Sequence, residues 1–175
     1  MAKRTHKDEV ERLDMEKTRL VLSELPVYVS DYFVSRKPNT TTKTRLSYAY
    51  DIRNYFRYLI SEEDFPSNPS DITGITINDL ASLKAKNIEN YMEYLQTNAD
   101  VMNHKSGVAR KYASLSSFFD YLYRNDFIPE NPCTKVLKVR PEKDTRIIRL
   151  APDEVARYLD AIEFGCDGFT PRQAK

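Results

Sequence analysis

The stretch from Lys105 to Arg124, KSGVARKYASLSSFFDYLYR, does most to limit what this chain can become. Val108, Tyr112, Leu115, Phe119 and Leu122 recur at three- and four-residue steps, the period of an amphipathic helix. A second stripe, Ser106, Arg110, Ser114, Ser117, Tyr121 and Arg124, follows the same period and mixes cations with short hydroxyls. Short side chains let a helix backbone approach a surface, and hydroxyl and guanidinium groups donate to phosphate oxygens. One face is therefore expected to pack a core and the other to meet a polyanion. The plainer alternative is a solvated outer face of a bundle helix. The surrounding chain has to decide between them.

The surroundings are helical in character. The chain has four glycines and no tryptophan, against twelve tyrosines and eight phenylalanines. With its long periodic segments, this points to an all-α fold. A length of 175 residues suits one domain and part of a second. No apolar run approaches the roughly 20 residues of a membrane span. The opening MAKRTHKDEVERLD has no apolar core, so it does not read as a secretory signal. Cys133 and Cys166 are too few for a disulfide framework or a metal knuckle. No metal or cofactor is expected, and a reducing cytoplasm is the expected location.

Net charge is only +1, but its distribution is uneven. Residues 38–60 set Lys43, Arg45, Arg53 and Arg57 against Asp51, and residues 104–125 set Lys105, Arg110, Lys111 and Arg124 against Asp120. Residues 61–103 hold eight acids and two lysines. Such segregation predicts one basic and one acidic face.

Along the chain, residues 5–22 read as a first helix with a Thr5–Asp8 capping box and a thin stripe of Val10, Leu13, Leu20 and Val21. A second helix runs from Pro26 to about Lys37, with Leu25, Tyr28, Val29, Tyr32 and Phe33 inward. A third covers Thr41 to Glu62. Its first turn, Thr41, Thr42, Lys43, Thr44 and Arg45 with Tyr48 behind, joins caps and cations at the positive end of a helix, a pattern suited to phosphate. A proline- and aspartate-rich loop leads to short helices at 77–83 and 85–97. After the central helix, Ile128, Pro129, Asn131 and Pro132 stop helix formation. Residues 133–149 read as an extended basic linker bearing Lys138 and Arg140. Ala151-Pro152-Asp153-Glu154 opens a last helix.

Three segments carry a family resemblance: TKTRLSYAYDIRNYFRYL at 42–59, ITINDLASLKAKNIENYMEYL at 75–95 and SGVARKYASLSSFFDYLYRNDFIPENPC at 106–133. In order and spacing the chain resembles the N-terminal half of tyrosine recombinases, the Xer-type recombinases and phage or transposon integrases. The resemblance implies a SAM-like core-binding domain. This would be a compact bundle of four to five helices, with an N-terminal helix before it and a linker-helix after it. The expected divisions are 1–22 for the N-terminal helix, 23–138 for the core-binding domain, 139–150 for the interdomain linker and 151–175 for the start of a catalytic domain. The family's two arginines, lysine, histidines and tyrosine nucleophile lie in that catalytic domain. None of those motifs is present, and no catalytic residue is expected here.

The resemblance further implies duplex DNA, the chain's own catalytic domain and other recombinase protomers as partners, with no membrane. The residues expected to contact DNA are Lys105, Ser106, Arg110, Lys111, Ser114, Ser117 and Arg124 on the central helix. Thr41, Thr42, Lys43, Thr44, Arg45 and Tyr48 on the third helix join them, with Lys138 and Arg140 in the linker. The rival reading is a helical protein-interaction module with no DNA role.

Overall fold

Thr5 starts the first helix by accepting the Asp8 amide while the Asp8 carboxylate takes the Thr5 N–H, so two orphan donors are satisfied reciprocally. In the computed structural model, residues 5–62, 65, 67–98, 103–137 and 149–164 are described. They form α1 (His6–Ser23), α2 (Val27–Arg36), α3 (Thr42–Glu62), α4 (Ile77–Ser82), α5 (Ala85–Thr97), α6 (Lys105–Arg124) and α7 (Pro152–Phe164). No strand occurs among the described residues, and the all-α expectation holds. The chain divides into two units, residues 1–142 and 143–175.

The first unit is built around α3 and α6. Ala49, Ile52, Phe56 and Leu59 of α3 are buried, as are Val108, Tyr112, Leu115, Phe119 and Leu122 of α6. Without tryptophan, the interior is a lattice of smaller rings. Tyr55 meets Tyr91 of α5 at 4.9 Å and Phe119 at 6.1 Å between centroids, and Tyr32 of α2 meets Phe118 edge-on at 5.3 Å. Edge-to-face contacts of this kind add to the burial of the rings themselves. Arg53 and Arg57 of α3 donate to the Glu24 carboxylate after α1 at 2.9 and 3.0 Å.

Two expectations need correction. The inward side of α1 is Thr18, Val21 and the half-buried Leu22, whereas Val10, Leu13 and Leu20 are exposed. Thr18 tolerates the interior because its hydroxyl donates to the Asp14 carbonyl. The linker also does not start at residue 133. Cys133 and Val136 are buried in the core, and the Tyr112 hydroxyl donates to the Cys133 carbonyl at 2.8 Å. Residues 138–148 of the expected linker lie outside the described residues.

Thr76 and Asp79 cap α4 reciprocally, and the Ser67 hydroxyl adds a bond to the same carboxylate at 2.6 Å. In the second unit, α7 opens with Asp153 and Glu154 in its first turn, and the Ala151 N–H donates to the Glu154 carboxylate at 2.8 Å. No residue of α7 is buried.

Candidate nucleic-acid interface

The uncovered side of α6 is narrower than its polar stripe. Ser106, Arg110, Ala113 and Arg124 are exposed, and Ala109, Ser116, Ser117 and Asp120 are half-buried. A groove of about 600 Å³ runs along this side, bounded by Arg36, Tyr48, Tyr112, Asn131 and Thr134.

The expected contact residues divide by what already holds them. Ser114 departs from the exposed stripe: it is fully buried, and its hydroxyl donates to the Lys111 carbonyl at 2.8 Å. A hydroxyl so placed meets no ligand without the packing opening. Ser117 is half-buried and receives donations from the Tyr32 hydroxyl at 2.9 Å and from the Arg36 guanidinium. Burial pushes the Tyr32 hydroxyl above the usual phenol range, with Ser117 and Arg36 acting the other way. Tyr121 is half-buried, with its ring 5.5 Å from that of Tyr32.

The cations are largely engaged as well. Arg110 donates through Nη1 to Asp51 Oδ2 at 2.5 Å, and Lys111 Nζ lies 3.7 Å from Asp51 Oδ1. Asp51 is 2% exposed, Lys111 12% and Arg110 48%. Arg110 is thus exposed, as its place on the polar stripe implies, and is also tied to a buried carboxylate that the stripe did not reveal. Arg124 pairs with Asp120 at 3.0 Å on the surface, where such pairs contribute little. Lys105 and Ser106 are exposed at the start of α6.

At the start of α3, Thr41 acts as the cap, its Oγ1 accepting the Thr44 N–H at 3.1 Å, with the two hydroxyl oxygens 2.8 Å apart. Arg45 turns back on the preceding turn and donates to the Thr40 carbonyl at 2.5 Å. Lys43 is exposed, Thr42 half-buried, and Tyr48 forms part of the groove wall. Lys138 and Arg140 lie outside the described residues.

The groove also includes residues that the sequence did not single out: Arg36, Ala109, Ala113, Ser116, Asn131 and Thr134. A signal existed for three of them. Ala109, Ala113 and Ser116 repeat at helical spacing one position away from the expected stripe. Arg36 had none, because its role depends on α2 ending beside Ser117. Among the described residues, no group of three His, Cys, Asp or Glu side chains is arranged to hold a metal, and no helix is long and apolar enough to cross a membrane. The groove offers the Ser116, Ser117 and Thr134 hydroxyls and the Arg36 guanidinium, together with the Asp120 carboxylate, beside a helix with short side chains; hydroxyl and guanidinium groups of this kind donate to phosphate oxygens.

No protein-family model matches the chain, and no solved structure matches it. Over 135 residues it is 30% identical to the tyrosine recombinase XerC of Caldanaerobacter subterraneus subsp. tengcongensis. The match covers 74% of this chain and 36% of that protein, so the chain spans little more than a third of its relative's length. That likeness, on an all-helical scaffold, supports a tyrosine recombinase-related family for this chain.

Proposed function

We propose that residues 23–138 are the DNA-binding, core-binding part of a tyrosine recombinase, clamping duplex DNA at a recombination half-site. Residues 139–150 then act as a linker, and 151–175 begin the catalytic domain of the parent enzyme, where strand cleavage and rejoining reside. Other protomers bound to the same DNA are the remaining partners. The observation that carries this reading is the similarity to a tyrosine recombinase over 135 residues. The groove beside α6 and the start of α3 agree with it in chemistry. Lys43, Lys105, Ser106 and Arg110 supply exposed donors on α3 and α6, Arg36 supplies one in the groove, and the short Ala113 lets the helix backbone come close.

The test is fluorescence anisotropy of this chain on duplex DNA at increasing salt. Phosphate-dominated binding gives an affinity that falls linearly with salt on logarithmic axes, with a slope of about −0.9 per phosphate neutralised. Absence of salt-dependent binding overturns the reading.

One observation favours the second reading, a protein-interaction module. Leu20 of α1 and Val27 and Val34 of α2 are apolar and exposed. A module that uses only this side binds no DNA, and the same titration separates the two.

A further inference from the structure

We propose that Arg110 reads the major-groove edge of a guanine and that Asp51, buried beneath it, is the residue that positions it. The inference rests on the DNA-binding reading above and goes further, assigning one side chain to a base rather than to phosphate.

The geometry is that of a held arginine. Asp51 is 2% exposed and lies on α3, across from α6. It accepts Arg110 Nη1 at 2.5 Å, yet the Arg110 side chain remains 48% exposed. A guanidinium has five N–H donors in a rigid plane. One nitrogen is thus fixed by a buried anion while about half of the side chain stays open to solvent. A phosphate contact needs no such restraint, since a mobile lysine satisfies it. Reading a base does need it, because the two acceptors of guanine, O6 and N7, lie in a fixed plane and require a matched fork. Restraint before binding also removes part of the ordering cost.

Two further features fit this role. Lys111, at 12% exposure and 3.7 Å from Asp51, already joins α6 to the carboxylate. Arg110 is not needed for that tie. One turn away on either side of Arg110 stand Ser106 and Ala113, both short and exposed, so they do not hold the helix backbone near Arg110 away from a groove that admits an α-helix.

The test starts by selecting binding sites for this chain from randomised duplexes. Each guanine of the recovered site is then replaced by 7-deazaguanine, which lacks the N7 acceptor. Wild type should lose roughly tenfold in affinity at one position. Arg110→Ala should bind the normal site more weakly and show no further loss with 7-deazaguanine there. Asp51→Asn should keep its salt-dependent binding while its sensitivity at that position falls to within about threefold, an effect that a purely structural tie would not produce. Asp51→Asn leaves Lys111 without its carboxylate. If that variant unfolds, Asp51→Asn/Lys111→Met compared with Lys111→Met answers the same question. Wild type that binds DNA with salt dependence but ignores every 7-deazaguanine, or selects sites without guanine, overturns this inference alone. Asp51→Asn with wild-type sensitivity removes the positioning role. Absence of any DNA binding by wild type overturns the inference together with the reading beneath it.

Discussion

The Tyr112 hydroxyl, in the middle of α6, donates to the Cys133 carbonyl at 2.8 Å inside the core. With the buried Ile128, Cys133 and Val136, this bond ties the segment after α6 to the helix, and Asn131, Cys133 and Thr134 of that segment line the groove together with Arg36 and Tyr48. Tyr112→Phe removes this donor and leaves the Cys133 carbonyl with the Val136 N–H at 3.4 Å. It should cost about 0.5–1.5 kcal/mol, measured by urea denaturation against wild type. Unchanged stability would mean that the segment is held by Ile128, Cys133 and Val136 alone.

Asp79 makes a pH-dependent contribution. Burial by itself raises the Asp79 carboxyl, but hydrogen bonds from the Ser67 and Thr76 hydroxyls and from backbone N–H groups outweigh it and hold the group below its ordinary value. A depressed folded-state value means that the stabilisation is present above the unfolded value of about 4 and is lost as pH falls through the folded one. Asp79→Ala should therefore destabilise by about 1–2 kcal/mol at neutral pH. The gap from wild type should close in acid. A gap that stays constant to low pH would assign the effect to packing.

Cys133 should be chemically silent in the folded chain. It is buried, and burial pushes its thiol up to about 12. The thiolate is the reactive form, so alkylation at neutral pH should proceed only as fast as the core opens. Mass spectrometry after iodoacetamide at increasing urea should show Cys133 modified in step with unfolding. Rapid labelling in native buffer would contradict its placement.

The chain should form no covalent adduct with DNA. Among its tyrosines, burial pushes the hydroxyls of Tyr28, Tyr32, Tyr91 and Tyr112 up, away from what a nucleophile at neutral pH requires. Incubation with nicked and intact duplexes, followed by denaturing electrophoresis, should show free DNA only. An adduct would place a recombinase nucleophile within these 175 residues.

The chain's helices were legible in the sequence because the signals that make them are local. The periodic apolar positions of α5 and α6 read directly as Ile88, Tyr91, Met92 and Leu95, and as Val108, Tyr112, Leu115, Phe119 and Leu122, all of them buried. The Thr5–Asp8 box started α1 as expected, since a cap needs only residues three apart. Periodicity states where a side chain sits around its own helix. It does not state how wide an arc the neighbours cover. Only the packing of α2 and α3 against α6 decided that Ser114 is enclosed, that Ser117 serves Tyr32 and Arg36, and that the open stripe passes through Ala113 instead. Charge followed the same rule. Arg53 and Arg57 were counted toward a basic face, but their partner is Glu24, and Arg110 finds Asp51 across 59 positions of sequence. An ion pair depends on distance in space, and that distance is set by how the helices cross.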